Sequence, residues 1–298
     1  MAKKKTKADE NSLISEKLLN RARDYSKQKS LGQNFLVSEK ILQQIVEVSD
    51  LDPAKHIVIE IGTGIGFLTE ILAKDCYHLY GIELDEKTVP CLERIQAKNP
   101  NFSFIRKDIL SLSVEDILSA EDLEAVKAKT KILKVVANIP YQISSMILVH
   151  FLGEVAETNV NRPFVSEINI LVQKEFAERL TAKPGTKAYG SLTILLNYWA
   201  ELEYCLNVPK EVFDPSPKVD SAFVKIKLRE KPLVEIPDSK LFRRFVKAIF
   251  VNRRKVLTNG LKAAGFSEEE INKLNLAPNL RGETLTVEEI ARLIALLN

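Results

Sequence analysis

The chain has 298 residues and a formal net charge of only +3, with 45% hydrophobic and 28% charged residues. That is the balance of a globular protein, long enough for one large domain and a smaller one. No apolar run approaches the ~20 residues of a membrane span, and Met1-Ala2-Lys3-Lys4-Lys5 has no apolar stretch behind it, so neither a membrane helix nor a secretory signal is expected. Cys76, Cys91 and Cys205, and likewise His56, His78 and His150, lack metal-like spacing. No metal site and no disulfide framework are therefore expected, and a reducing compartment, the cytoplasm, is.

Residues 1–12 are Lys-rich and polar, the composition of a disordered tail. Leu13, Ile14, Leu18 and Leu19 then recur at roughly helical spacing as far as residue 28. The next stretch, Leu31-Gly32-Gln33-Asn34-Phe35-Leu36, reads as a loop with two amides beside an aromatic. Ser38 is a good helix N-cap ahead of Ile41, Leu42, Ile45 and Val46, which share one helical face.

The run Ile57-Val58-Ile59-Glu60-Ile61 predicts a buried strand. It enters Gly62-Thr63-Gly64-Ile65-Gly66, where glycines let the backbone approach a ligand beside a helix N-terminus. The spacing G-x-G-x-G differs from the G-x-G-x-x-G of the dinucleotide fingerprint. About 20 residues on, a second strand ends in Glu83-Leu84-Asp85, and a carboxylate there can accept both hydroxyls of a ribose. A nucleoside-containing cofactor follows, with Glu83 as the ribose ligand and Asp85 as a helix cap. A third strand, 102–106, delivers Asp108, which either accepts from an adenine amine or caps the next turn. A fourth, Ile132-Leu133-Lys134-Val135-Val136, delivers Asn138-Ile139-Pro140-Tyr141. Pro140 makes a stiff turn. It gathers the Asn138 amide, the Ile139 carbonyl and the Tyr141 ring, a set that suits an exocyclic amine on a flat ring. In an open parallel sheet all four strand ends share one edge, where ligands bind.

Further along, 168–172 predicts a fifth strand. Lys183 to Gly190 reads as a basic, flexible loop near substrate, and Trp199 as structural. Phe213-Asp214-Pro215-Ser216-Pro217 is a stiff loop in which Phe213 is either an exposed aromatic holding a flat base or a core residue. Residues 222–228 are expected to close the sheet. Residues 229–239 read as a linker. Phe242, Phe245, Val246, Ile249 and Phe250 then form a helical stripe. Eight Lys and Arg fall between Lys240 and Lys262 with no acid among them, a local basic patch suited to phosphates.

These pieces closely resemble the KsgA-type small-subunit (16S) rRNA adenine N6,N6-dimethyltransferases. The resemblance runs from about residue 30 to the end. It is carried by LGQNFL (31–36), EIGTGIGFLT (60–69), IELD (82–85), NIPYQISS (138–145), FDPSPKVDSA (213–222) and NRRKVLTNGLK (252–262). It implies an α/β fold: a Rossmann-like S-adenosylmethionine-dependent methyltransferase sheet of seven strands at 30–230, a small all-helical RNA-binding domain at 240–298, and a basic extension at 1–29. It implies S-adenosylmethionine contacts at Asn34, Leu36, Gly62, Glu83, Asp108 and Asn138. The target adenine falls to Asn138, Tyr141 and Phe213, and rRNA phosphates to Arg253, Arg254 and Lys255. The implied partner is small-subunit rRNA within an assembling small ribosomal subunit, met by a monomer. Gln142 departs from the Asn of many bacterial members. The competing readings are the antibiotic-resistance dimethylase of large-subunit rRNA, a DNA adenine methyltransferase, a binding factor without catalysis, and a nicotinamide-dependent dehydrogenase. The NRRK segment favours the small-subunit enzyme over the first, and the glycine spacing disfavours the last.

Overall fold

The computed structural model describes residues 13–26, 34–251 and 256–297. The tail at 1–12, part of the LGQNFL stretch, and Arg253, Arg254 and Lys255 lie outside the described residues.

Among the described residues nine strands form two sheets. In chain order they are β1 (Phe35–Leu36), β2 (His56–Ile61), β3 (His78–Glu83), β4 (Phe102–Arg106), β5 (Ile132–Asn138), β6 (Val165–Gln173), β7 (Ala200–Val208), β8 (Phe213–Asp214) and β9 (Ser221–Leu228). The larger sheet has the order β4-β3-β2-β5-β6-β9-β7. The pairs β3–β4, β2–β3, β2–β5 and β5–β6 are parallel. The reason is visible in the residues: β2 is buried along its whole length and β5 at five successive positions, and strands covered on both faces read as continuous apolar runs. The expectation that 222–228 closes the sheet is corrected: β9 lies between β6 and β7, and β7 is the edge. β7 is buried at two of its nine positions, as suits an edge strand, and β9 at five of its eight.

The strand order turns at β2, which has β3 on one side and β5 on the other. At such a switch point the crossovers leave in opposite directions and open a crevice at the strands' carboxyl ends. The crevice is completed by the small sheet, in which β1 pairs antiparallel with β8, Leu36 opposite Phe213.

Three helices frame it. Helix α1 (Glu16–Ser26) buries Leu18 and Ala22, one helical turn apart, in the core that also holds Phe35 and Phe67. Helix α2 (Glu39–Ser49) starts at Ser38, whose hydroxyl accepts from Ile41 N at 3.4 Å as expected of an N-cap. Helix α3 (Thr69–Asp75) follows the glycine turn.

By packing, the chain divides into two compact units: Met1–Ile147 with Phe164–Lys174 and Tyr204–Lys225, and Leu148–Pro163 with Glu175–Glu203 and Ile226–Asn298. In the second, helix Ser239–Val251 buries Phe242, Phe245 and Ile249 as its stripe predicts. Gly260 is required there: a Cβ would stand 2.4 Å from the Ala248 carbonyl oxygen. Trp199 is structural, as read from the sequence: it is buried, its Nε1 donates to Glu154 O at 3.2 Å, and the Arg162 guanidinium stacks 3.5 Å from its ring centroid. The Lys183–Gly190 loop is not free of its surroundings. Gly185 N donates to Glu283 O at 2.8 Å, and buried Tyr189 donates its hydroxyl to Leu285 O at 2.9 Å.

The basic patch is also altered by tertiary structure. Arg243 pairs with Glu157 and Lys262 with Glu268. Arg244 reaches Glu270 at 3.5 Å, lies 3.8 Å from the Phe266 centroid and donates from Nε to Ala264 O at 3.3 Å. Counting charge along the sequence misses acids that the fold brings in from elsewhere.

Candidate active site

At the switch point lies a cavity of about 150 Å³. Its wall holds every position expected above to meet the cofactor or the target base except one. Asn34 and Leu36 come from the first segment, Gly62 and Gly64 from the glycine turn, and Glu83 from the end of β3. Asn138, Ile139 and Tyr141 come from the end of β5, and Phe213 from β8. The exception is Asp108, which is not in the wall. Its carboxylate accepts from Leu110 N at 3.0 Å, the capping role that the sequence left open.

The glycine turn and Glu83 are one hydrogen-bonded unit. Gly62 has φ +72°, a conformation that side chains make costly, and donates to Ile82 O at 2.8 Å. Gly64 N donates to one Glu83 oxygen at 2.7 Å, and the other oxygen accepts from Leu84 N at 2.8 Å and Asp85 N at 2.9 Å. Three backbone donors thus aim the carboxylate along the rim of the cavity, and Oε2, which accepts only from Gly64 N, keeps acceptor capacity. Asp85 caps the short helix after β3 by accepting from Lys87 N at 3.0 Å, as expected.

The β5 end has the arrangement that its proline predicts. Asn138 is the last residue of the strand, and Tyr141 starts a single helical turn. The Tyr141 ring is half-buried in the wall, and its hydroxyl lies 2.7 Å from the hydroxyl of buried Ser221. Burial raises the phenol above its ordinary pKa, so it stays protonated at neutral pH. Phe213 is 4% exposed. The exposed-aromatic reading is therefore corrected: the β1–β8 pairing tucks its ring into the core, where one face still lines the cavity.

Sequence reasoning passed over Glu60. It lies in the same wall, 1% exposed, and its Oε2 is buried without a hydrogen-bond partner among the described residues, as is Thr63 Oγ1. Burial pushes its carboxyl up to about 8, with the Glu83 charge adding to the rise. The available signal was an acid inside an otherwise apolar, doubly covered strand. The cavity thus offers two carboxyl groups, unpartnered polar atoms and backbone carbonyls beside four aromatic rings. By its chemistry such a wall suits a cation and a flat ring bearing an amine. Among the described residues no cluster of metal-ligating side chains is present.

Comparison with known proteins agrees with this geometry. The family described as Ribosomal RNA adenine dimethylase matches residues 24–298. The Ribosomal RNA small subunit methyltransferase A of Lactococcus lactis subsp. lactis (strain IL1403) is 41% identical over 279 residues, 92% of this chain and 90% of that protein. The protein of the same name from Shouchella clausii (strain KSM-K16) is 41% identical over 276 residues, 90% of this chain and 89% of its own length. Among solved structures, a dimethyladenosine transferase from Plasmodium falciparum superposes with a TM-score of 0.71 at 22% identity, covering 87% of this chain and 95% of that one. The 23S rRNA methyltransferase ErmE superposes with a TM-score of 0.64 at 23% identity, covering 89% and 99%. The two structural likenesses establish the architecture, a Rossmann-like methyltransferase sheet. The extent of the sequence match establishes more: the chain belongs to the ribosomal RNA adenine dimethylase family.

Proposed function

We propose that the protein uses S-adenosylmethionine to dimethylate the N6 amines of two adjacent adenosines in the hairpin near the 3′ end of small-subunit rRNA. The observation that carries the proposal is the single cavity in which the Asn138–Tyr141 turn faces the glycine turn and Glu83. The 41% identity to proteins named for the small subunit favours this substrate over large-subunit rRNA.

The residues fit the cofactor. Glu83 accepts the ribose hydroxyls, the Gly62–Gly64 backbone admits close approach, and Asn34 and Leu36 close the near side. Glu60 and Glu83 together favour a cation in the cavity. Asp108 stands outside the cavity wall and is engaged in its cap; it is assigned to the adenine amine on sequence grounds alone. When bound, S-adenosylmethionine supplies an electrophilic methyl group on a positively charged sulfur.

The chain's own work is positioning. The lone pair of an adenine N6 is delocalised into the ring, so the free amine is a poor nucleophile. The Asn138 side-chain oxygen and the Ile139 carbonyl accept its hydrogens and favour a more tetrahedral nitrogen. Tyr141 offers its face to the base, and Phe213 supports the far side. Such orientation, rather than a strong base or a covalent intermediate, lowers the barrier. The target base leaves its stack to enter, at a few kcal/mol. Arg253, Arg254 and Lys255 are assigned to rRNA phosphates on sequence grounds. The segments 30–230 and 240–298 are assigned to catalysis and RNA binding respectively. The substrate is an assembling small subunit, and the protein acts as a monomer in the cytoplasm.

The test is methyl transfer from labelled cofactor to small-subunit RNA or particles from cells lacking the protein, with mass spectrometry of the rRNA hairpin. Two dimethyladenosines that appear only with the active protein support the proposal. Hairpin adenosines that are fully dimethylated without it refute it.

A further inference from the structure

Helix α1 begins before the stretch that the family match covers: Leu18, Arg21 and Ala22 all precede residue 24. It is nevertheless tied to three of the elements that build the cavity. The Arg21 guanidinium grips Glu70 of α3 with two bonds, Nη2 to Oε1 at 2.9 Å and Nη1 to Oε2 at 3.1 Å. The same guanidinium lies 4.9 Å from the centroid of Phe67, in the turn before α3. Tyr25 donates its hydroxyl to Asp85 Oδ2 at 2.8 Å, at the end of β3 and two residues beyond Glu83. The Tyr25 ring meets Phe35 of β1 edge-on, with centroids 5.6 Å apart. Phe35 in turn lines the cavity, and its Cε1 would stand 3.3 Å from a Cβ on Gly64. Ser15, just before α1, donates its N–H to Val37 O at 2.7 Å and its hydroxyl to Glu39 at 2.9 Å.

We infer that Arg21 and Tyr25 are positioning residues of the cofactor site, and that α1 is a strap holding the glycine turn, β1 and the β3 end in the geometry the cofactor needs. The inference rests on the reading of the cavity given under Proposed function. The physical case is one of pre-organisation. Glu83 is aimed by Gly64 N, Leu84 N and Asp85 N, and α1 braces the last of these through Asp85 and the first through Phe35. A loose brace leaves those donors to be ordered at the moment of binding, and that ordering is subtracted from affinity. The Arg21–Glu70 pair is too exposed to matter much for stability, with side chains 34% and 40% accessible. A two-pronged guanidinium–carboxylate contact does fix orientation, however. Coupling is reciprocal: if α1 strengthens cofactor binding by some factor, bound cofactor stabilises α1 by the same factor.

Two variants of the full chain test this. Arg21→Gln and Tyr25→Phe together remove the polar ties and keep the apolar face of α1 and the ring contact. Calorimetric titration with S-adenosylhomocysteine is expected to show binding weakened about tenfold. The KM for S-adenosylmethionine should rise similarly while kcat at saturating cofactor stays within twofold, and the melting temperature of the cofactor-free protein should barely move. Arg21→Lys with Tyr25 intact keeps the charge but not the two-pronged contact, and should recover only the part of the loss that belongs to Tyr25. Hydrogen exchange of residues 16–26 in the parent should slow about tenfold when S-adenosylhomocysteine is added. Binding within twofold of the parent, or exchange in α1 indifferent to the ligand, overturns the inference and leaves α1 as a packing element. A parent chain that does not bind S-adenosylhomocysteine overturns the cofactor reading itself, a distinct result.

Discussion

Glu60→Gln is expected to stabilise the cofactor-free protein, and to do so only above mildly acidic pH. The carboxyl sits at the end of a strand buried on both faces, and burial lifts its pKa from 4.5 to about 8. In the unfolded chain it ionises near 4.5. In the folded chain it holds its proton until about pH 8, so the native state binds the extra proton between those values. Stability from this group is therefore complete below the unfolded pKa and is lost as pH rises through the folded one. At 1.36 kcal/mol per pKa unit the ceiling is roughly 5 kcal/mol above pH 8, and roughly 3 kcal/mol at pH 7. Glutamine carries no charge to bury, so its advantage grows from nothing near pH 4.5 and levels off beyond pH 8. In a chain of this size that corresponds to a melting-temperature gain of about 5–10 °C at neutral pH. Differential scanning calorimetry of parent and variant at pH 5, 6, 7 and 8 measures it, and parallel curves at all four would refute the reasoning. A second arm follows. A cationic cofactor entering the cavity draws Glu60 toward ionisation, so binding at pH 7 should release a proton. The observed binding enthalpy should then vary with the buffer's ionisation enthalpy in the parent and not in Glu60→Gln.

Three further outcomes are expected. Asn138→Ala should lower turnover at saturating cofactor and RNA by roughly a hundredfold, in line with the loss of one oriented polar group at a reacting centre, with RNA affinity little changed; near-normal turnover removes Asn138 from the mechanism. Tyr141→Phe and Ser221→Ala break the same 2.7 Å contact. Each should lower kcat about fivefold, from roughly 1 kcal/mol of lost orientation, and the double variant should be no worse than either; additive losses show that the hydroxyls act separately. Replacing Arg253 and Arg254 with Gln should weaken rRNA binding and flatten its salt dependence by roughly one unit of slope per lost phosphate contact, without altering cofactor affinity; an unchanged slope moves the RNA surface elsewhere.

The three strand ends that line the cavity were legible because their physics is local. A doubly covered strand must be apolar, a turn that approaches a ligand must be glycine-rich, and a proline after Asn138 must stiffen the exit. Ser38 and Asp85 announced themselves as caps for the same reason. What was not legible depends on partners far away in sequence. Phe213 could be read as exposed or buried until its pairing with Leu36 was known. Arg244 looked like a free phosphate ligand until Glu270 and Phe266 were seen beside it. Asp108 carries the right residue type at the right strand end, yet stands outside the cavity wall. Glu60 was hidden by the opposite error, because an acid within an apolar run is easily averaged into the strand.

The two-residue ladder between β1 and β8 has a consequence for the order of assembly during synthesis. Leu36 emerges early and its partner Phe213 emerges only after most of the chain. A nascent chain halted before β8 has already made the glycine turn, Glu83 and the Asn138–Tyr141 turn, but it lacks one wall of the cavity. Closing so long a loop is slow relative to forming local contacts. Ligand-binding competence should therefore appear as a late, single event in translation. Nascent chains ending shortly after residue 200 would be compact in their first strands and still unable to retain cofactor, whereas chains extended until β8 and β9 clear the ribosome's exit tunnel would retain it.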